Sequence, residues 1–191
     1  MVSRTAWTAT ALAAAVGVQR LWEVRKSARH EQALRARGAR EHAPEQMRWM
    51  RLLHGAWLVA APLEVALLRR RPSPAVTAAA LGCFAVGQGL RLAAMHELGE
   101  RWTVRVMTLP GSPAVESGIF RHLRHPNYLG VVLEMAALPM IHGATLTAVA
   151  ASVANALLLR ARIAAEEEAL RADSGYEALD RTPRFVPDFS A

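Results

Sequence analysis

Long apolar runs alternate with short, charged segments along most of this chain. Three of the runs are clearly bounded by charged or turn-forming residues, at positions 5–18, 52–68 and 73–95. A run of about 20 predominantly apolar residues forms a helix long enough to cross a bilayer. The pattern therefore predicts membrane-spanning helices rather than the core of a soluble domain.

The last apolar block, residues 128–159, is longer than one bilayer crossing needs. Pro139, His142 and Gly143 lie near its middle, where they favour a tight turn between two helices. With the three runs above, this predicts an all-α, polytopic integral membrane protein of about five transmembrane helices.

The first run has a second interpretation. Arg4 followed by a short, Ala-rich run is also typical of a secretory signal peptide. Trp7 and Trp22 lie at the two ends of the run, about 22 Å apart at helical rise. Because aromatic side chains at both interfaces anchor membrane helices, this pair favours a retained span.

The distribution of basic residues predicts the orientation. With the N-terminus outside, segments 23–51, 91–127 and 160–191 share one side and carry 18 Lys and Arg residues, against 4 at Arg4 and 69–71. The positive-inside rule places the larger group in the cytoplasm. Residues 23–50 are predicted to form a charged helix on that face, broken near Gly38 and Pro44. Arg outnumbers Lys 22 to 1, which is compatible with a high-GC bacterial genome, so the expected location is a bacterial inner membrane.

The net charge of +7 raises the question of an anionic partner. Zinc spacing and an aromatic-interleaved basic surface are both missing from the sequence, and the arginines flank apolar blocks, so lipid headgroups are expected rather than nucleic acid. Seven histidines without an HExxH pair and a single cysteine predict no metal site. The oligomeric state does not follow from the sequence.

The stretch FRHLRHPNYLG, residues 120–130, crowds basic side chains against a proline. A residue before proline avoids the helical region, whereas proline suits the first turn, so a helix is predicted to begin at Pro126. Its N-terminus would attract an anion. Ordinary interfacial anchoring is the alternative, but the turn-rich residues 109–118 favour a structured loop. The basic residues concerned are Arg121, His122, Arg124 and His125.

Further polar residues lie inside the predicted spans. Glu134 follows Asn127 by two helical turns, and at that depth it is either functional or a protonated carboxyl bonded to a neighbouring helix. Asn155, Arg162 and Glu166 share one stripe of a helix that leaves the membrane. The glutamates that follow also fit a solvated face, so the stripe alone is weak evidence.

Together these segments resemble the isoprenylcysteine carboxyl methyltransferase family, integral membrane enzymes that use S-adenosylmethionine. The resemblance divides the chain into N-terminal spans (1–95, with the charged segment 23–51), which take no part in it, and a catalytic region (96–191). Four stretches carry it: LGERWTVRVMTLPG (98–111), GIFRHLRHPNYLG (118–130), RIAAEEEAL (162–170) and SGYEALDRTPRFVP (174–187).

In that family the region around the Arg-His-Pro-x-Tyr motif and the cytoplasmic end of the last helix form a pocket that closes over the cofactor. The tail departs from the family pattern, because Tyr176 follows Gly175 directly and Leu179 replaces an aromatic residue, so its part in closing the pocket is not implied. The resemblance implies that a cytoplasmic pocket of the C-terminal half binds S-adenosylmethionine through His122, Arg124, His125, Pro126, Tyr128, Glu166 and Glu167.

Methyl transfer requires the protein mainly to align donor and acceptor and to exclude water. Arg105 or Arg162 is expected to hold an anionic acceptor, with Glu166 as the third candidate catalytic residue. The candidate contacts of the acceptor itself are Glu134, Asn155 and Trp102.

The short form of the chain, with WTVRVMTLPG before the motif, resembles bacterial members associated with O-methylation of long-chain alkylpyrones and alkylresorcinols. This implies a lipophilic acceptor, either an enol or phenol or the carboxylate of a long-chain or prenylated molecule.

Two alternatives remain. Membrane sterol and enone reductases share the Arg-His-Pro-x-Tyr segment and bind NADPH, but tend to have an Arg-Asp pair and a cysteine at RIAAEEEAL. The other alternative is a non-enzymatic lipid-binding membrane protein.

Overall fold

The computed structural model describes residues 4–174 and 182–186. In this part of the chain the connections between the helices contain two 3-10 turns, Gly99–Arg101 and Gly118–Arg121. The longer elements are α1 (Arg4–Ala36), β1 (Arg40–His42), α2 (Gln46–Leu68), α3 (Pro74–Leu98), β2 (Val106–Thr108), α4 (Pro126–Met140) and α5 (Thr145–Ser174).

Helix α1 joins two segments that were predicted to be separate helices. The predicted first span and the charged cytoplasmic helix form one uninterrupted helix of 33 residues. No proline or adjacent glycine pair interrupts this segment, so nothing stops the helix until Gly38, whose φ is +89°. At 1.5 Å per residue it extends about 50 Å, well beyond one bilayer core. The predicted break at Gly38 is confirmed.

Two helical hairpins follow. In the first, Arg69 ends α2 in the left-handed conformation, and the Ser73 hydroxyl accepts a hydrogen bond from the Val76 N–H at the start of α3. In the second, Pro139 lies in the last turn of α4 and Gly143 adopts a φ of +83° before α5 begins. The predicted division of the last apolar block is therefore confirmed.

A small sheet departs from the all-α prediction. Strands β1 and β2 pair antiparallel, with Arg40 opposite Thr108 and His42 opposite Val106. Strands of three residues are too short for a recognisable alternation of polar and apolar residues, which explains why the sequence did not indicate them. The sheet connects the segment after α1 to the segment between α3 and α4.

Glu64 of α2 stabilises the start of α5. Its carboxylate accepts hydrogen bonds from the backbone N–H groups of Leu146 (3.0 Å) and Thr147 (2.7 Å) and from the Thr147 hydroxyl (2.8 Å). The first N–H groups of a helix lack partners within the helix and carry partial positive charge, so a carboxylate from another helix suits this place. The contact fixes α2 against α5.

Helices α3 and α4 approach each other closely at two glycines. A Cβ atom on Gly130 would lie 2.7 Å from the backbone oxygen of Gly87 and 2.5 Å from Cγ of Arg91. A Cβ on Gly87 would lie 2.9 Å from the backbone oxygen of Gly130. Small residues at such a crossing allow two membrane helices to pack backbone against backbone.

The protein has three helical segments long and apolar enough to cross a membrane among its described residues: α2, α5 and Pro74–Arg101, which contains α3. Their outward faces carry exposed apolar side chains such as Leu67, Val86 and Val153, which suits contact with lipid. As spans, α1 and α4 remain predictions. Helix α4 has 15 residues and is about 22 Å long, shorter than a bilayer core.

The close contact at Gly87 leads to a prediction. We expect Gly87→Ala to lower the free energy of unfolding by about 2 kcal/mol, because the added methyl group forces α3 and α4 apart. Gly89→Ala is the matched control on the same helix, with open space around its Cβ position. It should leave stability unchanged or raise it, since alanine favours helix over glycine. Unfolding in mixed micelles measures both, and equal effects would contradict the proposed packing role.

Candidate functional site

The connection before α4 positions two basic side chains at the start of that helix. His125 has φ −127° and ψ 58°, outside the helical region, and Pro126 is the first helical residue, as predicted. Both residues are buried. The buried side chains of Phe120 and Leu123 anchor the connection. Arg124 and His125 are thereby held beside the N-terminus of α4.

Glu167 of α5 is the centre of a charged cluster at this point. Its Oε1 lies 3.0 Å from Nε2 of His125 and accepts a hydrogen bond of 3.3 Å from Nη1 of Arg124. Arg184 donates two hydrogen bonds, from Nε to Oε1 (2.8 Å) and from Nη2 to Oε2 (2.6 Å). Arg171 lies further away, at 3.6 Å. Glu167 is 2% exposed, so nearly all of its charge is balanced by these groups rather than by water.

The segment 182–186 packs against the same connection. The backbone N–H of Arg124 donates to the carbonyl of Pro183 (2.9 Å), and that of His125 donates to the carbonyl of Arg184 (3.3 Å). The Arg124 guanidinium donates twice to the carbonyl of Thr182, at 2.9 and 2.8 Å. The predicted tail positions Tyr176 and Leu179 lie outside the described residues.

A second polar group lies one turn into α4. The Tyr128 hydroxyl donates to the carboxylate of Glu166 and accepts a hydrogen bond of 3.0 Å from Nε of Arg162. Nη2 of Arg162 donates to the backbone oxygen of Val104 at 2.6 Å. The Tyr128 and His125 rings lie 5.4 Å apart, so the two polar groups are adjacent.

A cavity of about 670 Å³ lies beside these groups. In the described part of the chain, four of the predicted site residues do not line this cavity: His122, Glu134, Asn155 and Glu167. Glu167 lies behind His125. The predicted site residues that line the cavity are Trp102, Arg105, Arg124, His125, Pro126, Tyr128, Arg162 and Glu166.

The cavity also extends between the N-terminal helices, which the resemblance did not reach. Gly17, Val18 and Leu21 of α1 line it, as do Met50 and Leu58 of α2. This wall is mostly apolar. The prediction that the C-terminal half forms the pocket is therefore incomplete. No motif in the first spans indicated this wall, because it arises only where α1 and α2 pack.

Glu134 belongs to a buried ion network rather than to the cavity wall. Its carboxylate is paired with Arg20 and lies 3.3 Å from Nε of Arg91. Glu23 accepts hydrogen bonds of 2.6 Å from both arginines. The network contains two arginines and two glutamates, so its formal charge is zero. It links α1, α3 and α4, and Arg20, Glu23 and Arg91 line the cavity.

Arg105 lines the cavity but is already engaged. Its Nε lies 3.0 Å from Glu31, and Nη1 donates to Glu41. Burial alone would raise the pKa of Glu41, but hydrogen bonds from Arg105 and Arg35 hold it below its ordinary value. Two carboxylates therefore bind Arg105 directly. In the described part of the chain the Arg162 guanidinium donates to a tyrosine hydroxyl and a backbone carbonyl, and it has no hydrogen bond to a carboxylate.

Asn155 and Trp102 are both buried, yet in different surroundings. Asn155 lies within α5, 1% exposed, and its Oδ1 has no hydrogen-bond partner among the described residues. Trp102 follows the 3-10 turn after α3 and lines the cavity. Its indole N–H is likewise buried without a partner in the described part of the chain. A buried donor of this kind is a candidate contact for a ligand or water.

Bacterial relatives cover most of the chain. Residues 80–172 match the profile of the isoprenylcysteine carboxyl methyltransferase (ICMT) family. The uncharacterized protein YpbQ of Bacillus subtilis (strain 168) is 31% identical over 154 residues, which are 81% of this chain and 91% of YpbQ. An uncharacterized protein of Haemophilus influenzae (strain ATCC 51907 / DSM 11121 / KW20 / Rd) is 30% identical over 152 residues, 79% and 88% of the two chains.

The fold is similar to that of a solved eukaryotic intramembrane Ras methyltransferase, ICMT, with a TM-score of 0.54 at 20% sequence identity. The match covers 78% of this chain and 54% of the solved one, so this chain spans about half the length of that enzyme. At this identity the likeness concerns the fold. The profile match and the bacterial relatives, with which this fold agrees, show that the chain belongs to the isoprenylcysteine carboxyl methyltransferase family, as the four stretches predicted.

Proposed function

We propose that this protein is a membrane methyltransferase that uses S-adenosylmethionine and O-methylates a lipophilic acceptor. The supporting observation is that one cavity joins charged side chains at helix ends to an apolar wall between α1 and α2. Its volume of about 670 Å³ is in the range of small-molecule and cofactor sites. Family membership supports the same reaction class.

The residues of the cavity fit the charged parts of S-adenosylmethionine, which are a carboxylate, an ammonium and a sulfonium. Arg124, His125 and the start of α4 suit the carboxylate. The carboxylate of Glu166 suits one of the cationic groups. The Trp102 indole is a further buried donor that lacks a partner among the described residues. The charged end of the cavity therefore offers both signs of charge that the cofactor requires.

The roles of the chain's own residues follow from these contacts. Bound S-adenosylmethionine supplies a methyl group that passes to a nucleophilic oxygen. Glu167 holds the His125 ring in one orientation, and Tyr128 holds Arg162 and Glu166 at fixed separation. Such positioning, together with exclusion of water from a buried site, is the main contribution that a protein makes to a displacement reaction.

The acceptor is proposed to enter from the bilayer. Val18 and Leu21 line the cavity and are nevertheless 67% and 58% exposed, so they lie where the cavity meets the outer surface of α1. An alkyl chain at this opening would stay in lipid while its polar head reaches the charged end. Arg162 is better placed than Arg105 to hold an anionic head, because Glu31 and Glu41 already bind Arg105. Long-chain phenols, pyrone enols and carboxylates are the proposed acceptors.

The orientation is also part of the proposal. Arg69–Arg71 lie in the α2–α3 turn, and a Cβ on Gly143 in the α4–α5 turn would lie 3.1 Å from Cδ of Pro72, so both turns lie at the end of the bundle away from the site. The connections that follow α1 and α3 lie at the site end and carry Arg40, Arg101, Arg105, Arg121 and Arg124. By the positive-inside rule, the site faces the cytoplasm of a bacterial cell and the N-terminus lies outside.

Cofactor binding provides the first test. We expect S-adenosylhomocysteine to bind the detergent-purified protein with a micromolar dissociation constant in calorimetry. His125→Ala should weaken binding at least about 10-fold, because it removes the proposed hydrogen bond to the carboxylate of the ligand. A hydrogen bond to a charged group is worth about 1.5 to 3 kcal/mol. His96→Ala is the matched control, since His96 is exposed and outside the described cavity wall.

The same titration with NADPH separates the alternatives. We expect no NADPH binding. Binding of NADPH without S-adenosylhomocysteine would assign the protein to the reductase class. Binding of neither compound would contradict an enzymatic role for the cavity and support a lipid-binding protein.

The charged cluster provides a second test. We expect Glu167→Gln to lower stability by about 3 kcal/mol and to weaken S-adenosylhomocysteine binding, because His125, Arg124 and Arg184 lose the carboxylate that balances them. Glu168→Gln, an exposed neighbour on α5, should change neither quantity. Thermal unfolding and calorimetry measure the two effects. Equal behaviour of the two variants would show that the cluster does not hold the site together.

A further inference from the structure

His54 is a titratable side chain of the cavity wall that no motif of the family resemblance includes. It lies on α2, within an apolar segment long enough to cross the membrane, and it lines the cavity beside Met50 and Leu58. A polar, ionisable group at such a position costs free energy and is a candidate functional residue. The cavity thus has an ionisable group beside the apolar side chains of its α2 wall.

The contacts of the ring determine which nitrogen carries the hydrogen. Nδ1 lies 2.8 Å from the backbone oxygen of Met50. A carbonyl oxygen only accepts hydrogen bonds, so Nδ1 carries the hydrogen and, in the neutral ring, Nε2 has a free lone pair. The Trp57 ring packs edge-on at 6.2 Å and limits rotation. No hydrogen bond to Nε2 occurs among residues 4–174 and 182–186.

Charged groups approach His54 from two neighbouring helices and from its own. The ring interacts electrostatically with two cations, Arg20 of α1 and Arg91 of α3, and with one carboxylate, Glu23 of α1. Arg51 of α2 lines the same cavity. Arg20 and Arg91 each donate a hydrogen bond of 2.6 Å to Glu23, and neither donates to Nε2 of His54 in the described part of the chain. The lone pair of Nε2 therefore remains available to a ligand in the cavity.

We infer that His54 accepts the hydroxyl proton of the methyl acceptor, and that the acceptor is consequently a weakly acidic alkyl phenol or enol rather than a carboxylate. The inference rests on the proposed function. A carboxylate is already ionised at neutral pH and needs no base, whereas a phenol with a pKa of about 10 does. The apolar wall of α1 and α2 around His54 suits the alkyl chain of such an acceptor.

The proton balance is complete without another reactant. The acceptor O–H bond breaks, the proton moves to Nε2 of His54, and the electron pair stays on oxygen and forms the bond to the transferred methyl group. Bound S-adenosylmethionine would supply that methyl group and would retain the electron pair of the broken sulfur–carbon bond, leaving as a neutral thioether. The imidazolium of His54 returns its proton to water when the methylated product leaves.

The first experiment observes the ring directly, without turnover. In protein labelled with nitrogen-15 histidine, resonances that are missing from His54→Gln identify His54. We expect the spectrum of the free protein to show hydrogen on Nδ1 alone, and addition of an alkyl nitrophenol to produce the imidazolium form. Hydrogen on Nε2, or no change at saturating nitrophenol, would overturn the inference.

The second experiment compares alkyl phenols of increasing acidity as acceptors. We expect His54→Gln to reduce the methylation rate about 100-fold for an unsubstituted alkyl phenol and progressively less for nitro-substituted ones, since general-base catalysis contributes at least about that factor. His142→Gln, a histidine of the α4–α5 turn outside the described cavity wall, should behave as the wild type. The acidic phenols also verify that His54→Gln is folded.

The outcomes separate this inference from the proposed function. An equal loss with every phenol, or methylation of long-chain carboxylates alone by the wild type, would overturn the role of His54 while the methyltransferase proposal stands. A wild-type protein that binds no S-adenosylhomocysteine and methylates none of these compounds would overturn both.

Discussion

The carboxylate of Glu167 holds together three segments that are distant in the sequence. It accepts hydrogen bonds from Arg124 in the connection before α4 and from Arg184 in the segment 182–186, and it contacts the neighbouring His125 ring. A carboxylate buried to this extent requires such partners, because an unpaired charge away from water is costly. The shape of the cavity's charged end depends on this contact, since it fixes both the His125 ring and the segment that covers it.

Contacts between polar groups also organise the membrane-embedded part. Helices in a bilayer gain little from burying apolar surface against one another, so close packing and polar contacts determine which helices associate. Gly87 and Gly130 allow α3 and α4 to touch, and the network around Arg91 connects both helices to α1. Because Arg91 also lines the cavity, the contacts that stabilise the bundle also shape the proposed acceptor site.

The two walls of the cavity come from different parts of the chain. The family profile matches residues 80–172, which contain the charged end of the cavity, whereas α1 and α2 form the apolar wall and lie outside it. Under the proposed function, members with different first helices would share cofactor chemistry and differ in acceptor. His54 is on the α2 side of this boundary, which is why a resemblance confined to the C-terminal half did not reach it.

The sequence by itself determined the features that depend on neighbouring residues. Pro126 begins a helix, Gly38 ends one, and Pro139 with Gly143 divides the last apolar block, because each acts on the backbone within a few positions. The tertiary structure alone decided how α1 packs against its partners, the three-residue strands and the contacts of the buried charges. Arg20 and Glu134 are 114 positions apart, and their pairing follows only from how three helices pack. A pattern along the chain records which side chains are ionisable, but it does not contain the distances between helices that decide which charges meet.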